Sequence, residues 1–214
     1  MLKFAPSFVI FLFYCIFFNI CLRFPMQAFK YFVEATKSLK TVGTVTFSSK
    51  FLVNKMLEPV VFKPKQVIIE LGAGNGCITK ELLNRMHPDS QLFSFEVNEN
   101  FCTMLNSTIQ DERLHLINDS AEHLTQYLHA NNIEKVDYII SSVPLVVLPE
   151  AVSETIMKAV EQTLKNSDGT FIHLSYSPFL RNKFKQQFNA VKLYFSALNL
   201  PPAWVYACKL SKVA

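Results

Sequence analysis

VIIELGAGNGCITKELL, Val67 to Leu83, runs from an apolar strand through three glycines directly into an amphipathic helix. Val67, Ile68 and Ile69 give the continuous apolar run of a strand buried on both faces. Gly72, Gly74 and Gly76 admit positive φ and close backbone approach where a Cβ would meet a ligand. The helix starting near Cys77 then presents unpaired N–H groups at its first turn. Strand, turn and helix in this order predict a nucleotide-sized pocket at the carboxyl end of a core strand.

Glycine spacing separates the cofactor classes that use such a turn. Dinucleotide enzymes favour G-x-G-x-x-G, and here the position required for the third glycine is Cys77. What stands instead is E-x-G-x-G-x-G with Glu70 at the strand tip. A carboxylate there repels a pyrophosphate and attracts an ammonium. The pattern resembles motif I of the class I S-adenosylmethionine-dependent methyltransferases. The resemblance implies S-adenosyl-L-methionine as cofactor, with Glu70, Gly72, Gly74 and Gly76 beneath its amino acid and ribose. A glycine turn with no ligand is the alternative.

Downstream, strands and helices alternate as a doubly wound α/β sheet requires. Helix 77–86 leads to strand Gln91–Val97, where Glu96 lies about 20 residues past the last glycine, a place where carboxylates bind ribose hydroxyls. Helix 99–109 precedes strand Leu114–Ile117, which ends in Asn118, Asp119 and Ser120. Asp119 either accepts from an adenine amino group or caps the helix beginning at Ser120. Strand Val136–Ile140 runs into Ser141, Ser142, Val143, Pro144 and Leu145, and Val152, Ile156, Val160 and Leu164 mark a helix ending near Gly169. Strand Thr170–Ser175, the Tyr176-Ser177-Pro178 turn and helix 181–189 follow. Segments 191–198 and 204–210 resemble the closing antiparallel hairpin of a seven-stranded, Rossmann-like methyltransferase sheet.

The front of the chain differs in kind. Residues 4–22 carry no charge and approach the roughly 20 apolar residues of a membrane-spanning helix. Lys3 precedes them, and Arg23, Lys30, Lys37 and Lys40 follow, placing the rest of the chain on the cytoplasmic face of a membrane. Either this segment is an anchor, or Met26 is the start and residues 1–25 are an untranslated leader. Residues 26–50 then hold a basic helix with Phe29, Phe32, Val33 and Leu39 at helical spacing, lying in a membrane interface or packed on the domain, and an entrance loop. Residues 51–214 are assigned to the methyltransferase-like domain. Net charge of +4 suits an anionic membrane or RNA about equally. Cysteines at 15, 21, 77, 102 and 208 form no C-x-x-C pair and have no histidine cluster, which argues against a metal site or a disulfide framework.

Four segments narrow the resemblance: SLKTVGTVTFSS (38–49), ELGAGNG (70–76), SSVPLVVLP (141–149) and NLPPAWVY (199–206). Together they resemble the bacterial phospholipid N-methyltransferase family, which converts phosphatidylethanolamine stepwise to phosphatidylcholine. The chain departs from that family's pattern at Phe47 and Ser142. The resemblance implies a phospholipid substrate, an anionic membrane surface as partner and no metal. The rival is the ribosomal RNA adenine dimethyltransferase family, whose N-L-P-Y motif is replaced here by Ser142, Val143, Pro144 and Leu145. An aliphatic Leu145 offers no π-face for a flipped base and suits an acyl or glycerol surface. A membrane-tethered ligand-binding protein without chemistry is a third reading, opposed by the joint presence of Glu70, Glu96 and Asp119.

Methyl transfer to an amine needs alignment, desolvation and a neutral nitrogen. Ser141, Ser142 and the adjoining backbone beside Pro144 are expected to orient that nitrogen. Tyr176 either lines the pocket or packs in the core. Arg181 and Lys183 either hold a lipid phosphate or are solvated, and His173 reads as buried structure.

Overall fold

The computed structural model describes residues 50–165, 167–178, 180–197, 199 and 202–210, all within the unit Thr46–Ala214. The expected anchor at 4–22, the basic helix after Met26 and the segment 38–49 lie outside the described residues. Among those described, no helix is long and apolar enough to cross a membrane.

Seven strands form one sheet: β1 (Val67–Leu71), β2 (Gln91–Phe95), β3 (Leu114–Ile117), β4 (Tyr138–Ser141), β5 (Thr170–Ser175), β6 (Ala190–Ser196) and β7 (Ala203–Lys209). Their spatial order is β3-β2-β1-β4-β5-β7-β6. Pairings from β3 across to β5 are parallel, while β7 runs antiparallel between β5 and β6. The α/β class, seven strands and closing hairpin expected from sequence are therefore all present. Strand order reverses on either side of β1, so crossovers leave to opposite faces and open a crevice at the carboxyl ends of β1 and β4.

Among the described residues the two faces are covered by six α-helices, α1 (Lys50–Leu57), α2 (Cys77–Arg85), α3 (Glu99–Thr108), α4 (Leu124–Ala130), α5 (Glu150–Lys165) and α6 (Leu180–Gln187), and a 3₁₀ turn at Ala121–His123. One core layer joins Ile69, Phe95, Ile139 and Phe171 to Leu124 of α4, Val160 of α5 and Phe184 of α6. On the other face Ile68, Leu92, Ile140 and Ile172 meet Leu52 and Met56 of α1 and Leu82 of α2. Because both faces are covered, the inner strands are buried along their length, as β5 shows with six buried residues in succession, the polar Thr170, His173 and Ser175 among them.

Element ends have local causes. Met86 turns extended, with φ −67° and ψ 145°, and ends α2 just before His87-Pro88. The Asn98 side chain accepts from the N–H groups of Asn100 and Phe101 and so starts α3. The helix expected to begin at Ser120 is present as the 3₁₀ turn, capped by the Ser120 hydroxyl, followed by α4. The element not marked from sequence is α1, eight residues long, whose burial becomes visible only against the assembled sheet.

Candidate active site

The glycine turn is stitched to both neighbouring strands. Gly72 and Ala73 donate their N–H groups to the carbonyl of Phe95 at 2.8 and 3.2 Å, tying the turn to the end of β2. On the other side Ser142 N–H donates to the Leu71 carbonyl at 3.0 Å, and the Ser142 hydroxyl donates to the Gly72 carbonyl at 2.7 Å. Gly72, Gly74 and Gly76 have φ of +84°, +53° and +78°. At Gly76 an added Cβ would collide with Leu105 of α3, whereas around Gly74 nothing lies within 4 Å of one. The crest of the turn at Gly74 therefore faces open space, the cradle a bound nucleoside requires.

Glu96 closes the turn from β2. Its Oε2 accepts from Gly74 N–H at 2.7 Å, and Oε1 accepts from Asn98 N–H at 2.8 Å. The Asn118 side chain donates to the Glu96 carbonyl at 2.9 Å, fixing the end of β3 to the same point.

Glu70 lies beneath, only 1% exposed. Its Oε2 accepts from Ser94 Oγ at 2.5 Å and Thr79 Oγ1 at 2.8 Å, while Oε1 is buried without a hydrogen-bond partner. Burial raises its pKa from 4.5 to about 7, an effect that the Ser94 and Thr79 hydroxyls oppose and nearby Glu96 reinforces. An orphaned carboxylate oxygen under a glycine cradle fits a cationic group on the ligand, as an ammonium is. Ser94 and Thr79 were missed from sequence. The available signal was a single polar residue inside the apolar run of β2, since Ser94 is wholly buried.

The two serines after β4 separate. Ser142 joins the glycine turn, but Ser141 is 0% exposed and its hydroxyl faces His173 Nδ1 at 3.3 Å inside the sheet. This corrects the expectation that both hydroxyls reach an acceptor, because successive residues of a strand point to opposite faces. His173 is itself sealed beside Phe171 and Phe184, and burial pushes its pKa down to about 3, so it stays neutral.

Beyond Ser142 the chain coils. The Pro144 carbonyl accepts from Val147 and Leu148 N–H, and the Ser153 hydroxyl holds the Leu145 carbonyl at 2.9 Å. Leu145 consequently turns inward to the core at 6% exposure, and Val146 is the exposed residue. The expected acyl-facing role of Leu145 is corrected accordingly.

Asp119 stands one strand further out. Its Oδ1 accepts from Ser120 N–H at 2.7 Å and pairs with His123 Nδ1 at 2.8 Å. These two groups, His123 first, hold its pKa below the ordinary carboxylate value. Tyr176, just past β5, is part-exposed and hydrogen-bonds Asn199; burial raises the pKa of its hydroxyl against that bond. Arg181 is exposed at the start of α6 and Lys183 half-buried within it. Among the described residues no group of three or more His, Cys, Asp or Glu is gathered closely enough to hold a metal ion.

The architecture has close counterparts. The chain is 18% identical to a methyltransferase from Streptococcus mutans solved in complex with SAH, with a TM-score of 0.56 over 78% of this chain and 100% of that one. In sequence it is 29% identical over 182 residues to an ornithine lipid N-methyltransferase of Singulisphaera acidiphila, covering 84% of this chain and 92% of the relative. It is 28% identical over 98 residues to ribosomal RNA small subunit methyltransferase H of Flavobacterium johnsoniae, covering 46% of this chain and 32% of that protein. Residues 40–174 match the family model described as ribosomal RNA adenine dimethylase. With the cradle, the orphaned carboxylate and the 3-2-1-4-5-7-6 sheet in place, this match makes the chain an S-adenosylmethionine-dependent methyltransferase belonging to the ribosomal RNA adenine dimethylase family.

Proposed function

We propose that this enzyme N-methylates the head-group amine of a phospholipid, carrying phosphatidylethanolamine towards phosphatidylcholine, at the cytoplasmic face of a membrane. The observation that carries the reading is the loop after β4. Its fourth residue, Leu145, is aliphatic and buried, so the loop beside Ser142 presents no aromatic ring on which an extruded base would stack. The relative aligned over most of both chains, named for a lipid amine, supports the same choice.

S-adenosylmethionine supplies an electrophilic methyl group on a sulfonium. In this reading Gly72, Gly74 and Gly76 give its amino acid and ribose close backbone approach, Glu70 Oε1 faces the ammonium, Glu96 takes ribose hydroxyls, and Asp119 takes the adenine amino group. Ser142 has donated its only hydroxyl proton to Gly72, so its oxygen lone pairs are left to accept an N–H from the incoming amine. Accepting one N–H directs the nitrogen lone pair, and alignment is the main acceleration an in-line displacement needs. Pro144 shapes the loop that holds Ser142 in place, and Tyr176 borders the entrance. The amine arrives protonated near neutral pH. Neutral, sealed His173 does not reach it, and partial desolvation in the cleft lowers its pKa instead.

Labelled S-adenosylmethionine offered with phosphatidylethanolamine liposomes, ornithine-lipid liposomes or total RNA tests the proposal. Label in phosphatidylethanolamine is expected. Label confined to ornithine lipid would keep the lipid-amine class and overturn the named acceptor. Label in RNA alone would establish the second reading, adenine N-methylation, which the family match over residues 40–174 favours.

A further inference from the structure

Charge is distributed very unevenly along the chain. From Gly169 to Ala214 there is no Asp or Glu, yet Arg181, Lys183, Lys185, Lys192, Lys209 and Lys212 all fall there. All acidic residues of the domain lie before this point. The described part of this stretch builds one side of the sheet: β5, α6 and the β6–β7 hairpin, with β6 as the edge strand. Among the described residues, none of Arg181, Lys183, Lys185 and Lys192 pairs with a carboxylate.

The same edge exposes apolar surface. Leu193 and Phe195 are 40% and 41% exposed, neighbours on one face of β6. Their partners across the hairpin are Tyr206 and Trp204, and the Phe195 and Trp204 rings lie 5.3 Å apart. Tyr206 and Trp204 belong to the core layer that α6 covers, so Leu193 and Phe195 emerge on the side of the sheet that carries α6, the helix holding Arg181 and Lys185. Register also fixes their height. Ser175, the last residue of β5, pairs with Trp204, which pairs with Phe195. The patch thus opens at the carboxyl ends of the parallel strands, the edge that carries the glycine turn and Ser142.

From this placement we infer that the α6 side of the β6–β7 edge is the surface on which the enzyme docks to an anionic phospholipid bilayer, with Leu193 and Phe195 inserted among the head groups and the α6 cations above them. The inference rests on the lipid reading of the active site and adds where the membrane sits. Unpaired cations match an anionic surface. Solvent-facing leucine and phenylalanine side chains gain by leaving water for the acyl boundary, which a phosphate backbone does not provide. Docking along this edge brings head groups to the cleft opening, so the acceptor need not leave the bilayer.

The test uses the full chain and vesicles of phosphatidylcholine alone or mixed with phosphatidylglycerol and phosphatidylethanolamine. Sedimentation with mixed vesicles should weaken about tenfold for Leu193→Ser/Phe195→Ser and about tenfold for Lys185→Glu. The Lys185→Glu loss should vanish with neutral vesicles. Turnover on a monodisperse short-chain phosphatidylethanolamine should stay at the wild-type rate in both variants, which also shows that they fold. Variants that sediment and turn over on vesicles like the wild type would overturn the docking surface while leaving the acceptor assignment standing. Vesicle binding that falls as expected in a protein that methylates no lipid would keep the surface and sink the acceptor. Retention of total RNA, with no vesicle binding by the wild type, would replace the membrane with nucleic acid and overturn the inference.

Discussion

Replacing Glu70 by Gln isolates one physical quantity, the free energy of keeping a carboxylate buried beneath the glycine turn. Gln retains an acceptor for the Ser94 and Thr79 hydroxyls and places an NH₂ where Oε1 lacks a partner. Shape and hydrogen bonds are therefore nearly conserved, and ionisation is removed. The Glu70 pKa rises from 4.5 to about 7 on folding. At about 1.4 kcal/mol per unit, ionised Glu70 destabilises the folded protein by about 3 kcal/mol, with no solvent discount for a side chain 1% exposed.

The sign follows from proton counting. Below pH 4.5 the group is protonated in both states and contributes nothing. Between 4.5 and about 7 the unfolded chain releases a proton that the folded chain keeps, so stability falls as pH rises. Above about 7 both states are ionised and the full penalty stands. Urea denaturation of wild type and E70Q across pH 4 to 8.5 measures it, and subtracting the curves cancels every other titrating group. The expected difference grows in favour of E70Q by about 3 kcal/mol between the ends of that range. A flat difference, or an E70Q protein that loses stability at pH 8, would refute the desolvation argument. Binding supplies the second half. A ligand ammonium near Oε1 offsets the penalty, so wild-type affinity for S-adenosylhomocysteine, which carries that ammonium, should rise with pH through about 7. In E70Q it should be weaker and independent of pH there. Equal affinity of both proteins at pH 8 would remove Glu70 from the cofactor site.

Other substitutions divide packing from chemistry. Gly76→Ala should destabilise by about 2 kcal/mol, combining a positive φ with a clash at Leu105; a melting temperature equal to wild type would contradict the described turn. Gly74→Asp has open space for its side chain, so circular dichroism should report an intact fold while calorimetry shows no S-adenosylmethionine binding, and unchanged affinity would remove the pocket assignment. Ser142→Ala should lower kcat about tenfold or more with little change in cofactor affinity, by loss of an acceptor for the amine; a wild-type kcat would take Ser142 out of the reaction. Leu145→Ala should cost about 2–5 kcal/mol of stability through a core cavity and leave the preference between lipid and RNA unchanged; altered preference without destabilisation would place Leu145 in the cleft after all.

What could be read in the sequence was whatever the chain encodes locally. The glycine turn is legible because positive φ, strand composition and helix start are all properties of residues within a few positions of one another. Strand ends were placed within about two residues for the same reason, as at β2, expected to reach Val97 and ending at Phe95. Pairings made across long separations were not legible. Glu70 reads as a carboxylate at a strand tip, but its hydroxyl partners come from α2 and β2, and Ser94 lies 24 residues away. Leu145 reads as a surface residue because the turn that rolls it inward is held by Ser153, already inside the next helix.

Ser141 and Ser142 show the limit most clearly. In a half-exposed strand, alternating polarity would reveal which residue faces the solvent. In β4 both faces are covered, Ile139 against one core layer and Ile140 against the other, so the sequence carries no such mark. The pleat then sends one serine beside His173, a residue of β5 that arrives 32 positions later, and leaves the other to close on Gly72. Two adjacent hydroxyls that look equivalent in the chain thus acquire different chemistry from the register of β4 against β5, and only the one bonded to the glycine turn has an oxygen at the cleft.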